Sequence, residues 1–212
     1  MRKTVMPLAL ALVVSVAGVV PASAATPAAA TATPRVEIAI RSMRYDPVGL
    51  TVAQGTRVRW SNVTSPSRAH DVVSSFPLYF KSPLMVTGQS FRFTFSAAGT
   101  FTYVCSIHDV MIGSIEVPLQ AKLITSGDTP YFLLTMGTAV LPWTSPYRYV
   151  LNWQVPGDPT WHVRATHDNT LMVPATAPGT YRFRARVKDK AAGTKSANTQ
   201  ELTLDAPAPP TP

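Results

Sequence analysis

The chain has 212 residues, of which 46% are hydrophobic and only 14% are charged, with 20 prolines and a single cysteine. Its length suggests one large or two small domains, and its composition excludes a collagen-like repeat, a coiled coil and an acidic disordered chain. The single cysteine excludes an internal disulfide, so each domain depends on burial of its core or on a bound metal. Basic residues outnumber acidic ones by 19 to 11, which gives a formal net charge of +8.

The first 24 residues have the pattern of a secretory signal peptide. Arg2 and Lys3 precede an apolar run from Val5 to Val20, and Ala22-Ser23-Ala24 supplies the small residues of a cleavage site. The apolar run has 16 residues, fewer than the roughly 20 that a membrane span needs. The sequence therefore predicts a soluble protein without a membrane span that is secreted or extracytoplasmic, in the cell envelope or an equivalent compartment.

A first set of β-strands is predicted after a short leader. Residues 25–34 are small residues and prolines, which predicts a flexible linker. From Arg35 onward, short runs that alternate apolar and polar residues are separated by glycines, and this alternation predicts strands. They are Val36–Arg41, Leu50–Ala53, Thr56–Ser61, His70–Ser74, Ser90–Phe95, Thr100–Cys105 and Ile112–Val117. Strands of this length and spacing are typical of an antiparallel sandwich or barrel.

A second set of strands follows a pause in the pattern near residues 118–122. These strands are predicted at Tyr147–Gln154, Trp161–Ala165, Tyr181–Val187 and Gln200–Leu204. The predicted fold class is therefore all-β, with one β-sandwich at 35–118 and a second, smaller sandwich at 122–205. Residues 206–212 form a Pro-rich tail that we expect to be disordered.

The lone cysteine, Cys105, needs an explanation because cysteines of exported proteins are normally paired. A small buried hydrophobe, an intermolecular disulfide and a metal ligand all fit a single cysteine. The neighbouring residues favour the metal ligand, since His108 follows the thiol by three positions and Met111 follows the imidazole by three. His70 is the only other histidine in the first predicted sandwich.

These four residues form a soft set of donors. Calcium and magnesium prefer oxygen ligands, and zinc sites are usually filled by four nitrogen, sulfur or oxygen donors other than methionine. Two histidines, one cysteine and a weak axial methionine are the ligands of an electron-transfer copper site. The sequence therefore predicts one copper ion at His70, Cys105, His108 and Met111, with no open position for a substrate and hence no enzyme activity.

The segment Met43–Val117 resembles the small blue copper proteins of the cupredoxin superfamily, in the plastocyanin and amicyanin-like branch. The matching phrases are Leu50-Thr51-Val52, Gly55-Thr56, Val58-Arg59-Trp60-Ser61-Asn62, His70-Asp71-Val72 and the run from Gly99 through Cys105 to Met111. The resemblance implies an eight-stranded Greek-key β-sandwich with His70, Cys105 and His108 as equatorial ligands and Met111 as the axial one. Only seven strands are predicted here, and we expect the eighth within Phe76–Met85.

The resemblance also implies how the copper site meets its surroundings. Many relatives have asparagine after the first histidine and proline after the second, where this chain has Asp71 and Asp109. We expect Asp71 to accept a backbone N–H and so to orient the ligands, and a carboxylate close to the site would favour Cu(II). A redox protein partner is expected to dock near His108. Ile107, Val110 and Ile112 are candidates for an apolar docking patch, although each fits the core equally well.

The segment 122–205 resembles a fibronectin type III or immunoglobulin-like module more loosely, through Trp153 and a candidate corner tyrosine, Tyr181. His162 and His167 are five positions apart, so they point to opposite faces if one strand holds both, which disfavours a second metal site. Exposed loop histidines are the favoured interpretation. A run of four cations alternates with apolar residues: Arg182, Arg184, Arg186 and Lys188. A solvated basic strand is the favoured interpretation, and contact with anionic cell-envelope polymers or an acidic partner is the alternative. No nucleic-acid binding is expected.

The leading hypothesis is an exported mononuclear type 1 copper protein that carries single electrons. The alternative is an extracytoplasmic copper-binding protein that buffers or delivers the metal without electron transfer. A third hypothesis is a cupredoxin sandwich kept as an adhesive module without copper.

Overall fold

The computed structural model of the chain describes residues 35–76, 79–127 and 129–208. The predicted signal peptide at 1–24, the linker at 25–34 and the last four residues of the predicted tail lie outside these ranges. Within them the structure has fifteen strands and no helix, so the all-β fold class is confirmed. Ala206, assigned to the tail, is instead the last residue of the final strand and is buried.

The first eight strands form two four-stranded sheets. The strands are β1 (Arg35–Arg41), β2 (Arg44–Asp46), β3 (Gly49–Thr51), β4 (Thr56–Asn62), β5 (Val73–Ser74), β6 (Ser90–Phe95), β7 (Gly99–Cys105) and β8 (His108–Val117). One sheet has the order β2-β1-β4-β6 and the other the order β3-β8-β7-β5. The pairs β1–β4 and β3–β8 are parallel, so the predicted antiparallel sandwich or barrel is a sandwich of mixed strand direction. Each parallel pair joins strands that are distant in sequence, which a crossover connection permits.

The eighth strand of this sandwich is β2, and its position corrects the expectation of a strand within Phe76–Met85. β2 has only three residues, of which Tyr45 alone is buried, so it is too short to show an alternating pattern. Among the described residues of the expected segment, pairing is limited to single bridges from Lys81 to Val73 and from Met85 to His70. The predicted strand His70–Ser74 likewise shortens to β5.

An aromatic core lies between these two sheets. Residues alternate along β7, and the side chains of Phe101, Tyr103 and Cys105 are buried on one face, as the alternation predicts. Trp60 from the opposite sheet is fully buried and packs edge-on against Tyr103, with ring centroids 5.5 Å apart. This packing fixes the end of β7, where Cys105 lies.

The next seven strands form a three-stranded and a four-stranded sheet. They are β9 (Gln120–Ser126), β10 (Thr129–Thr135), β11 (Tyr147–Gln154), β12 (His162–Thr166), β13 (Thr170–Pro174), β14 (Gly179–Asp189) and β15 (Leu202–Ala206). Their orders are β13-β10-β9 and β12-β11-β14-β15. The alternation of the sequence did not predict β9, β10 or β13. The hydroxyl of Tyr181, at the start of β14, accepts a hydrogen bond from the backbone N–H of Ala177 at 3.1 Å, which is the contact of a tyrosine corner.

Hydrogen bonds and ring contacts join the strands of the first set to those of the second. Thr100 of β7 exchanges two backbone hydrogen bonds with Ala197, each 3.1 Å long. The amide of Gln54 donates to the carbonyl of Thr135 at 2.8 Å. The described residues accordingly form one compact unit.

The Gly113–Tyr103 contact generates a stability prediction. Gly113 of β8 lies opposite Tyr103 of β7, and a Cβ at this position would come within 2.4 Å of the buried tyrosine ring. Because the ring is fully buried and cannot move away, we expect Gly113→Ala to lower the free energy of unfolding by about 1–3 kcal/mol.

Gly49→Ala is the matched control, since its Cβ would meet only the Ser114 hydroxyl at an ordinary 3.5 Å. Denaturant unfolding measures both variants. Equal stability of the two variants would contradict the proposed clash.

Candidate metal centre

His70 is held in place by the backbone of a neighbouring loop. The backbone N–H of His70 donates to the carbonyl of Met85 at 3.0 Å, and the backbone N–H of Met85 donates to the carbonyl of His70 at 2.7 Å. The side-chain amide of Asn62 then donates to the carbonyls of Met85, at 2.8 Å, and of Arg68, at 2.7 Å. Asn62 is buried at the end of β4, so it ties the loop that carries His70 to the sheet.

Cys105, His108 and Met111 come from the turn between β7 and β8 and from a bulge that follows it. Val104 pairs with Ile112, but the next residue, Cys105, pairs with His108. Residues 109–111 therefore have no partners in the β7–β8 register and form a bulge in β8. A bulge changes the direction of its side chains, and Met111 is buried while its two bulge neighbours are exposed.

The three strong donors converge. The Sγ atom of Cys105 lies 3.4 Å from Nδ1 of His108 and 3.9 Å from Nδ1 of His70. The three donor atoms all lie within 4.8 Å of one another. The two sulfur–nitrogen separations, 3.4 and 3.9 Å, suit donor atoms that are each about 2.0–2.3 Å from one shared ion. The structure therefore brings His70, Cys105 and His108 together, with Met111 buried in the adjoining bulge.

Asp71 links the two loops that carry these donors. One oxygen of its carboxylate accepts the backbone N–H of Ser106 at 2.6 Å, and the other accepts the Ser106 hydroxyl at 2.5 Å. The carbonyl of Asp71 also accepts the hydroxyl of Tyr45 at 2.6 Å. The expected backbone contact is thus present, and the hydroxyls of Ser106 and Tyr45 reinforce it. The sequence did not predict these two further contacts, because no local motif connects residues so far apart.

The environment of His70 and Cys105 favours the neutral forms of these two side chains when no metal is bound. Burial lowers the pKa of His70, and the nearby His108 lowers it further. Burial also raises the pKa of the Cys105 thiol. Backbone hydrogen bonds lower this pKa, whereas the side-chain hydrogen bond and negative charge of Asp71 raise it. A thiolate is the ligand form, so binding of a cation must displace the thiol proton.

An apolar surface surrounds the turn with His108. Ile107 is 49% exposed, Val110 73% and Ile112 53%, so these residues belong to the surface rather than to the core. His108 itself is only partly buried, in contrast to His70, which is inaccessible. The site consequently reaches solvent on the side of His108.

The other two histidines are separate from this site. His162 lies in β12 and approaches Asp158 at 3.6 Å. His167 follows β12 and is buried against Trp143, with ring centroids 4.2 Å apart, so the expectation of an exposed loop histidine is wrong for His167. In the described parts of the chain, the one cluster of three metal-binding side chains is that of His70, Cys105 and His108. Those parts also contain no helix that is long and apolar enough to cross a membrane.

Comparison with known proteins relates the first sandwich to copper proteins. The family of copper-binding proteins of the plastocyanin/azurin type matches residues 32–118. Amicyanin from Paracoccus denitrificans is 31% identical over 100 residues, which are 46% of this chain and 76% of amicyanin. A purple cupredoxin from Nitrosopumilus maritimus is 28% identical over 39% of this chain and 98% of its own, with a TM-score of 0.36. An oxidised amicyanin variant is 30% identical over 39% of this chain and 81% of its own, also with a TM-score of 0.36.

The pKa of His70 leads to a prediction for the metal-free protein. The ordinary value of 6.5 is lowered in the folded state, so below pH 6.5 the unfolded chain binds more protons at this histidine than the folded chain does. Stability must therefore fall as the pH decreases through this window. We expect urea unfolding of chelator-treated protein to show this loss as the pH is lowered from about 6.5, the ordinary pKa of histidine.

His70→Gln should flatten the profile in that window, whereas His162→Gln, at an exposed histidine, should leave it unchanged. Identical profiles for the two variants would show that burial of His70 is not the cause.

Proposed function

Since the chain belongs to the plastocyanin/azurin family of copper-binding proteins, we propose that it is an exported mononuclear type 1 copper protein that carries single electrons. Its cofactor is copper, in one type 1 site. The observation that carries the proposal is the convergence of one thiol and two imidazoles within 4.8 Å. Met111 is buried in the bulge that follows His108.

Each proposed ligand has a distinct task. His70, Cys105 and His108 would hold the ion, and Met111 would add a weaker sulfur donor. Copper, when bound, supplies the one-electron change between Cu(II) and Cu(I). The protein keeps the donors in one arrangement for both oxidation states, because the loop of His70 is fixed by Asn62 and the loop of Cys105 by Asp71.

The four donors leave no position for a substrate, which supports electron transfer rather than catalysis at this centre. The exposed apolar residues around His108 would form the docking surface for a redox protein partner. Small, short-lived contacts are typical of such partners. The predicted signal peptide at 1–24 supports export to an extracytoplasmic compartment.

We also propose the two-domain division, with a cupredoxin domain at 35–118 and a fibronectin III or immunoglobulin-like domain at 122–205. The strand orders of the two later sheets and the hydrogen bond of Tyr181 support this assignment. Their hydrogen bonds to the first sandwich indicate that the second domain is a fixed support for the copper domain rather than a mobile spacer.

Copper loading of Cys105→Ser tests the proposed function. The wild-type protein should bind one equivalent of Cu(II), show an intense thiolate-to-copper absorption in the visible range and undergo reversible one-electron reduction. Cys105→Ser should lose this absorption and keep the β-fold, because serine fills the same space without a soft sulfur donor. His162→Gln is the control, and it should retain the full spectrum.

Two results would contradict the proposal. Retention of the visible band in Cys105→Ser would show that Cys105 is not the ligand. Colourless binding by the wild type, with copper released readily to a chelator, would support a buffering or delivery protein instead.

The carboxylate of Asp71 should lower the reduction potential. Asp71→Asn removes one negative charge but can keep both contacts with Ser106, since an amide oxygen accepts the N–H and an amide nitrogen donates to the hydroxyl. Because negative charge stabilises Cu(II) more than Cu(I), we expect the potential of Asp71→Asn to rise.

Asp109→Asn removes an equal charge from an exposed side chain, where water screens it, and the rise should be smaller. Voltammetry of both variants measures the difference. An equal or larger shift for Asp109→Asn would show that the bonded carboxylate does not tune the site.

A further inference from the structure

A row of cations lies on the outer face of the sheet β12-β11-β14-β15. Arg182, Arg184, Arg186 and Lys188 alternate along β14 with four buried residues, so their side chains point away from the core. We call these four residues the basic row. At about 3.4 Å per residue, the row extends for about 20 Å.

Basic residues of neighbouring segments extend the basic row, and few acidic side chains form salt bridges with it. Arg148 of β11 pairs with Lys188 in the sheet register, and Lys195 forms a bridge to Lys188 on the other side. Within the described ranges, the row takes part in one salt bridge, from Arg182 to Glu201 at 3.6 Å. Like charges this close repel one another, and the pKa of Arg186 is lowered by burial and then by the charge of Arg184. A row of this kind is complementary to an extended polyanion.

The aromatic residue beside the row does not present an open stacking surface. The guanidinium of Arg184 lies over the ring of Trp161, 3.6 Å from its centroid. Proteins that bind single-stranded nucleic acid rely on aromatic faces that stack with bases, and here the cation occupies that position. A guanidinium stacked in this way is held in a fixed orientation, which suits paired hydrogen bonds to a carboxylate.

A cavity of about 410 Å³ adjoins the end of the row at Arg182. Its polar side chains are an amide, a carboxylate, a hydroxyl and a guanidinium, from Gln154, Asp158, Thr180 and Arg182. Gln154, Thr180 and Arg182 already contact Pro159, Asp205 and Glu201 in turn, and each keeps a further donor or acceptor atom. Sugar hydroxyls donate and accept hydrogen bonds, so these remaining atoms suit a sugar ring.

We propose that this face binds an acidic polysaccharide, with one sugar unit in the cavity beside Arg182 and the carboxylates of the following units along the basic row. This binding function is independent of the copper site, which lies in the other sandwich. It would fix the electron carrier to an anionic matrix while the apolar surface around His108 stays available.

Binding of oligogalacturonate to the full copper-loaded chain tests the proposal, with a neutral oligoglucan, polyphosphate and a single-stranded oligonucleotide as competitors. We expect oligogalacturonate to bind best and its affinity to fall as salt is added. Arg184→Gln/Arg186→Gln should weaken binding by about tenfold or more, because two adjoining charge contacts are lost. Arg182→Gln/Lys188→Gln, at exposed positions, tests the same row with little risk to folding.

Arg57→Gln/Arg92→Gln is the matched control, since it removes two exposed arginines from the outer face of the first sandwich. We expect it to change the affinity by less than about twofold. Thr180→Val should weaken binding of oligogalacturonate but not of polyphosphate. Copper absorbance in the same samples reports the proposed electron-carrier site separately.

Three results would overturn the proposal: no binding of oligogalacturonate, equal losses in the row variants and the control, or equal or tighter binding of polyphosphate or the oligonucleotide. The first would remove the binding function, the second would reduce it to net charge, and the third would assign the face to a different polymer.

Discussion

The contact between Asp71 and Ser106 is the constraint on which the site depends. It joins two loops that are 35 positions apart, one carrying His70 and the other carrying Cys105 and His108. Two hydrogen bonds to one carboxylate fix both the distance and the orientation of these loops. A centre that must accept and release an electron with little rearrangement needs this restraint, because donors on free loops would follow the changing preference of the metal.

The frame around this contact is rigid for identifiable reasons. Tyr45 and Trp60 pack against Tyr103 from two sides, and the Tyr103 ring lies over Gly113. The end of β7 and the start of β8 therefore cannot shift without disturbing the core. The bulge at 109–111 lets β8 supply a buried methionine and still return to its register at Ile112.

Sequence alone predicted the parts of this arrangement that depend on local pattern. Alternation located β6 and β11 with their correct ends, and the Cys105–His108–Met111 spacing identified the loop with the donors. It could not reveal β2, which has three residues, nor β9 and β10, whose side chains are largely half-buried or exposed and so lack strong alternation. The roles of Asn62 and Ser106 also escaped it, since both depend on partners brought close only by tertiary packing.

The two sandwiches present surfaces of different chemical character, one apolar and one cationic. Around His108 the exposed side chains are apolar, which suits a partner that must approach, exchange an electron and leave. Along β14 the exposed side chains are cationic and spaced by the strand repeat, which suits a partner with many charges and a long residence. Electrostatic attachment at one sandwich does not compete with apolar contact at the other. The hydrogen bonds between Thr100 and Ala197 and between Gln54 and Thr135 hold the two surfaces in a fixed relation, so that attachment through β14 would also set the direction in which the copper site faces.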